Sequence, residues 1–443
     1  MEQLLQGPPP GWKFSIFDVN KLLSDPARLM EETATQHGDP FTVWSPGKSV
    51  TLTAQPEGIK EIFTADPDIL EPFGNDTIRP FVGSGSILLM SGERHKAERK
   101  LLMPPFHGAR MRAYGRIIEE TALDQLRQYA VGNTFPVINL TQATSLLVII
   151  RAIFGVRSAE DIERVRELTL QKIDAMSPWL VFFPPMRQEF FGLGPWARFK
   201  KASEQADAYL IQEMDRKRST GQLGDDILSL MLQAQYEDGE HMTNEHIVSE
   251  LTTLLFAGHE TTAITLAWAM HWLHALPQVR ERVLEELASL GEHPEPENIA
   301  RLPYLSAVVD ETLRIYPIVP LAAREVKTNF KLRGWELPAG SVVGAAIALL
   351  HRNPELYPEP MTFRPERFLE RSFSPFEYIP FGGGTRRCIG AAFSLYETKL
   401  VLATWLRHAT FELKSTVTPK LERRNVTLSP LGGVPLTLTS LRA

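Results

Sequence analysis

Phe381-Gly382-Gly383-Gly384-Thr385-Arg386-Arg387-Cys388-Ile389-Gly390 holds the one cysteine among 443 residues. The glycines at 382–384 permit a backbone path that a Cβ would obstruct. An apolar, Ala-rich helical pattern follows over 389–406. Cys388 therefore stands at a helix start, where free N–H groups and the positive end of the helix dipole favour an anion. Arg386 and Arg387 add positive charge beside it. All three effects favour thiolate over thiol. The stretch reads as a rigid loop that presents one sulfur anion. A buried structural cysteine is the plain alternative, and a cysteine nucleophile needs a histidine close in space. A zinc–thiolate cluster is excluded for want of a second cysteine.

The rest of the chain shows no Ser/Gly-rich linker, charge block, repeat or low-complexity run. Residues 1–443 read as a single domain with a short extended segment at 1–14. A hydrophobic fraction of 43% supports a large core. Net charge is −6 and the isoelectric point about 6.1, which excludes a global attraction to nucleic acid. One cysteine permits no intramolecular disulfide and suits a reducing compartment. Met1 to Phe14 carries no apolar run of anchor length. A cytoplasmic protein without a membrane anchor is expected.

Upstream, Thr243 is placed to cap a helix and Pro277 to stop it. The span between them is roughly 50 Å at the helical rise. Its few polar residues predict a helix through the middle of the protein, and Glu250, His259 and Glu260 argue against a membrane span. Midway stands Ala257-Gly258-His259-Glu260-Thr261-Thr262. Ala and Gly allow close approach of another group. An acid in an apolar helix is costly without a partner. The threonines can bond back to upstream carbonyls. His259 reads as structural or surface-facing.

Three weaker patterns surround these two. His95 and Arg99 lie i, i+4 on one predicted helical face, among Arg94, Lys96 and Lys100. Glu311 and Arg314 lie i, i+3 on a helix that Pro317 ends, and Pro365-Glu366-Arg367-Phe368 follows. Leu70 to Leu89 lacks a clean period and carries Gly74, Pro80, Gly83 and Gly85, so a long loop is predicted. The stretch 177–196 crowds Trp179, Phe182, Phe183, Phe190, Phe191 and Trp196 among prolines, which reads as a hydrophobic cover. Phe41–Trp44 and Val50–Thr53 flank a hairpin signal.

The cysteine stretch resembles the haem-binding loop of cytochromes P450, Phe-Gly-x-Gly-x-x-x-Cys-x-Gly, at every fixed position. The central hexapeptide resembles that family's oxygen-activation segment. Glu311, Arg314 and Arg367 resemble its Glu-x-x-Arg and the arginine that joins it in a buried triad. His95 and Arg99 resemble its Trp-x-x-x-Arg, with His in place of Trp. The resemblance covers nearly the whole chain, with these motifs in order. It implies a mainly α fold with a smaller β-rich part and a long central helix over the haem.

It also implies haem b as cofactor, with Cys388 as the iron ligand. His95, Arg99, Arg324 and Arg386 would hold the propionates. Thr261 and Glu260 would govern dioxygen, water and protons. The expected activity is a monooxygenase acting on a hydrophobic molecule such as a fatty acid or terpenoid. Phe73, Ile78, Phe81, Val82, Leu254, Phe256, Ile318, Val319, Leu321 and Leu431 are candidate cavity residues. With no dinucleotide fingerprint and no cysteine cluster in the chain, electrons would come from a separate ferredoxin or flavodoxin and an NAD(P)H-dependent reductase. Arg94, Lys96, Lys100, Arg110, Arg112 and Arg387 are candidates for a basic docking face. A monomer is expected. The rival readings are a haem-thiolate peroxygenase or isomerase, a non-haem cysteine hydrolase, and a non-catalytic haem carrier or sensor.

Overall fold

In the computed structural model, residues 5–13, 25–45, 48–155, 158–189, 191–221, 223–424 and 426–442 are described. Phe190 and residues 46–47, within the hairpin signal, lie outside them. Helices dominate, and a smaller β-rich part is built mainly from the two ends of the chain and from residues 322–345.

The longest helix, Asn244–Ala275, runs 32 residues. Thr243 caps it, its hydroxyl accepting from the N–H of His246 at 3.3 Å. Pro277 does not simply stop it: that proline is the first residue of the next helix, Pro277–Ala288, where its missing N–H costs nothing. The long helix packs against Val137–Phe154, Ala391–His408 and Pro303–Ile315. Its apolar residues, with those of these partners, form one large core that includes Trp268, Trp405, Ile149 and Leu400. Val137–Phe154 is long and apolar enough to cross a membrane, but 78% of it is buried inside the fold. It is a core helix.

A six-stranded sheet forms the second centre. Its order is Gly11–Lys13, Phe41–Ser45, Lys48–Thr53, Val342–Ala345, Ala322–Val326, Leu70–Pro72. The predicted hairpin is present, with Phe41 opposite Leu52. The helix Pro56–Phe63 packs beside it, and Phe41, Ile59 and Val343 share a separate core.

One expectation fails locally. Residues 70–89 are not one long loop: Asn75–Val82 forms a helix despite Pro80, and Leu70–Pro72 joins the sheet. Pro80, in the second turn, cannot donate to Asp76 O, and that carbonyl accepts from Arg187 at 3.2 Å instead. The glycines mark its ends: Gly74 precedes the helix and Gly83 closes it, both at positive φ.

Candidate functional site

The cysteine loop is shaped by its contacts with Pro56–Phe63. Gly382 and Gly384 adopt φ of 66° and 65°, a region that side chains disfavour. Gly384 also lies so close to the carbonyl of Phe63 that no Cβ fits there. Gly383 is extended instead, and its need is space, since a Cβ would collide with the Phe63 ring. The N–H of Cys388 donates to Phe381 O at 3.0 Å, which closes the loop beneath the sulfur.

Cys388 has exposed surface, yet the surrounding protein pushes its thiol pKa up. The N–H groups of Gly390 and Ala391 and the charge of Arg387 pull it down, as the sequence predicts, and Arg99 does so in place of Arg386, but desolvation by the surrounding protein is the larger effect. The loop alone therefore favours the thiol, and a coordinated metal ion would displace the proton.

A second group gathers beside it. His95 and Arg99 come from the helix Gly92–Leu102, Arg324 from the sheet, Arg386 from the cysteine loop. None of the four makes an ion pair among the described residues. Arg324 donates to Ala323 O at 2.8 Å, and Arg386 donates to Met90 O. Burial lowers Arg324 to about 10. Burial and the charge of Arg324 lower Arg386 to about 10, against the pull of Glu71. Burial, then Arg386, Arg99 and Arg324, hold His95 near 4, so it is neutral. Uncompensated cations in partly buried positions need anionic partners. This donor set fits the two propionates of a haem, and the thiol beside it fits the iron. The family resemblance, not spacing in the chain, groups Arg324 with His95, and in the fold the charges of Arg386, Arg99 and Arg324 all act on His95.

On the central helix, most residues of the middle turns are buried. Ala257 is exposed and Gly258 and Thr261 are half-buried, so one face opens there. The Thr261 hydroxyl donates to Ala257 O at 2.7 Å. Thr262 does not bond back; it meets Ser394 at 3.0 Å and ties this helix to the one that follows Cys388. Gly258 lets Val137–Phe154 come close, since a Cβ there would stand 3.2 Å from Ile149. His259 is buried, and burial holds it near 4 against the opposing pull of the Gln142 backbone. It is structural, not surface-facing. Glu260 is buried, and burial raises its carboxyl pKa, while Thr427 and Arg424 on the neighbouring hairpin pull it down.

The charged triad supports the loop. Glu311 receives Arg314 at 2.7 and 2.8 Å and Arg367 at 3.0 Å. Exposures are 0% for Glu311 and Arg314 and 3% for Arg367. Sequence reasoning missed the next link. Arg314 donates to His351 O at 2.7 Å, and His351 accepts from the N–H of Ile379 at 3.0 Å. His351 opens a Pro-rich stretch, so nothing in its neighbours marks it.

Of the cavity candidates, Phe81, Val82 and Phe256 line an apolar cavity under the helices Ala159–Ala175 and Pro195–Thr220. Leu254 and Ile318 are buried, while Phe73, Val319 and Leu431 are exposed.

Residues 6–435 match the sequence profile described as Cytochrome P450. The protein named "Putative cytochrome P450 138" in Mycobacterium tuberculosis is 34% identical over 417 residues, covering 92% of this chain and 90% of its own length. "Putative cytochrome P450 135B1" of the same species is 30% identical over 446 residues, covering 98% and 92%. In fold, the chain is similar to the heme domain of cytochrome P450DA, with a TM-score of 0.88 at 23% identity over 100% and 99% of the two chains. It is also similar to a cyanobacterial P450 solved with retinoic acid bound, with a TM-score of 0.86 at 23% identity over 99% and 100%. The match to that profile across nearly the whole sequence, with relatives above 30% identity, shows that the chain belongs to the cytochrome P450 family, haem-thiolate monooxygenases that carry haem b.

Proposed function

We propose that this family member hydroxylates or epoxidises a hydrophobic small molecule of the fatty-acid or terpenoid kind. In this reading Cys388 ligates the iron. His95, Arg99, Arg324 and Arg386 hold the propionates, and Glu260 and Thr261 handle protons. The observation that carries it is the acid–alcohol pair: Thr261 stands on the opened face of the central helix, with Glu260 buried beside it.

Bound haem supplies the redox chemistry, putting one atom of dioxygen into the substrate and the other into water. The chain supplies everything around it. Thr261 directs its hydroxyl proton to Ala257 O, so its lone pairs remain free to accept from a water molecule. Glu260 holds a proton more tightly than an exposed glutamate because burial penalises its charge. It can take a proton from the hairpin side and release it toward Thr261. The apolar wall at Phe81, Val82 and Phe256 favours a substrate with few polar groups. The retinoic acid of the cyanobacterial neighbour is a molecule of this kind.

A separate ferredoxin or flavodoxin, with its NAD(P)H-dependent reductase, delivers the electrons. The supposed basic docking face is largely neutralised: Lys96, Lys100, Arg110 and Arg112 pair with Glu93, Glu237, Asp225 and Glu297. Arg94 meets His246 at 3.0 Å. Arg387, exposed one residue before Cys388, has no acidic partner among the described residues and is the cation nearest the cysteine left to meet a partner. A monomer in the cytoplasm completes this reading, and the single cysteine suits such a compartment.

The test uses surrogate ferredoxin and reductase. Thr261→Ala is expected to keep consuming NADPH while product per NADPH falls on the order of tenfold or more. An unchanged yield, or a wild type that turns over with peroxide alone and with no electron donor, overturns the reading.

A further inference from the structure

The helix Asn75–Val82 packs against a short helix, Pro178–Phe182. One side chain ties the two together. Arg187 follows the second helix, past Pro184 and Pro185. Its Nε donates to Leu180 O at 2.8 Å and its Nη2 to Val181 O at 2.9 Å. The same guanidinium reaches the other helix: Nη1 donates to Asp76 O at 3.2 Å and Nη2 to Thr77 O at 2.8 Å. Its Cζ stands 5.2 Å from the centre of the Phe81 ring.

The sequence explains why these carbonyls are open to it. In a helix, a carbonyl accepts from the N–H four residues on. For Asp76, Leu180 and Val181 that residue is Pro80, Pro184 and Pro185, and proline has no N–H to give. Three prolines thus leave three acceptors bare, and Arg187 serves all of them. A guanidinium can do this because its N–H donors are set in a rigid fork. The partners are neutral carbonyls, and no carboxylate pairs with Arg187 among the described residues. Its role is therefore to tie two helices, not to neutralise a charge.

The tie lies against the wall of the apolar cavity. Phe81, under the guanidinium, packs with the buried Leu180, Val181 and Phe199, its ring 4.9 Å from that of Phe199. Phe81, Val82 and Phe199 line the cavity. On the outside, Phe73, Trp179 and Met186 expose apolar side chains next to the same two helices in the chain. Apolar surface thus stands on both sides of a seam that Arg187 closes. We propose that Arg187 is the latch of this cavity, and that release of its bonds between the two helices is the step by which a bulky apolar ligand enters and leaves. The role rests on the reading of the cavity as the substrate site. Arg187 is a positioning residue, acting through the Phe81 wall.

The experiment uses the haem-loaded enzyme and two azoles that ligate haem iron through nitrogen, the bulky clotrimazole and the small imidazole, followed by the Soret shift in stopped flow. In Arg187→Ala the association and dissociation rates of clotrimazole should both rise about tenfold, the weight of one hydrogen bond to a charged donor. Their ratio should stay within about twofold, because opening a latch changes access more than affinity. Imidazole rates should stay within about twofold of wild type, which a general loosening of the fold would not allow. Arg187→Lys keeps the charge without the fork and should behave as alanine does. Amide hydrogen exchange over 77–82 and 180–183 should quicken about tenfold in both variants, while 56–63 keeps its wild-type rates. Exchange needs no haem, so a wild type that binds neither azole contradicts the haem reading alone, and exchange still decides the latch. Unchanged clotrimazole rates, an equal gain for imidazole, a lysine that restores wild-type rates, or exchange that stays at the wild-type level would overturn the proposal.

Discussion

The imidazole of His351 accepts a hydrogen bond from the backbone N–H of Ile379 at 3.0 Å, two residues before the cysteine loop begins at Phe381. The ring is fully buried, and its Nδ1 has no partner. An accepting Nε2 must be unprotonated, so the neutral Nδ1–H tautomer is the one this bond requires. Burial and the neighbouring Arg314 charge hold its pKa near 3. His351→Ala would strand the Ile379 N–H and leave a cavity, which should cost about 2–4 kcal/mol. Denaturant unfolding measures the cost, and haem content per chain should fall with it.

Glu311 carries two buried arginines at once. Glu311→Ala would leave Arg314 and Arg367 charged and unpaired, and a loss of about 3–5 kcal/mol is expected. Glu311→Gln keeps the shape and removes the charge, so it should lie between wild type and alanine. Thermal unfolding of the three proteins checks the order.

Stability should fall toward both ends of the pH scale. The folded pKa values of His351, His271 and His274 are depressed, to about 3, 4 and 4. Their stabilising effect is present above the ordinary value near 6.5 and is lost as pH falls from there toward 4, because only the unfolded chain takes up protons. Glu397 is fully buried, and burial raises it to about 8 against the opposing pull of Ser145. Its sign is opposite: the effect is complete below about 4.5 and is lost as pH rises toward 8. Each group contributes a slope of up to about 1.4 kcal/mol per pH unit in its window. Glu397→Gln should flatten the alkaline limb of a Tm–pH profile and leave the acidic limb unchanged.

Arg324 lowers Arg386 through like-charge repulsion, burial lowers both, and neither makes an ion pair among the described residues. Replacing either with leucine should relieve the polypeptide and weaken the hold on haem. The apo protein should be as stable as wild type or slightly more so, while haem dissociation should quicken by about tenfold, the effect of one lost charge-assisted bond. Transfer of haem to an acceptor globin measures the second quantity.

Much of this site was legible in the primary structure because its chemistry needs residue types that a plain core would avoid. A lone cysteine among glycines and arginines, and an acid with threonines inside an apolar helix, are visible without coordinates. The hairpin at Phe41 and the cap at Thr243 were readable for the same reason, since turns and caps are local. His351, Ser394 and Arg187 were not, because their roles depend on partners 28, 132 and 110 residues away. The helix Asn75–Val82 escaped because Pro80 and flanking glycines mimic a loop signal. At Cys388 the Arg387 charge and the helix-start N–H groups act as the sequence suggests, while desolvation by the protein packed around the loop, a tertiary property, opposes them.

The central claim is that the sulfur of Cys388 is the protein's bond to iron. The direct measurement is the Soret band of the reduced, carbon monoxide-bound protein, wild type against Cys388→Ala. The account predicts that the band position of the wild type is lost in the variant, even where haem is still retained by the arginines. A variant that binds haem and keeps the parental band under carbon monoxide would contradict it.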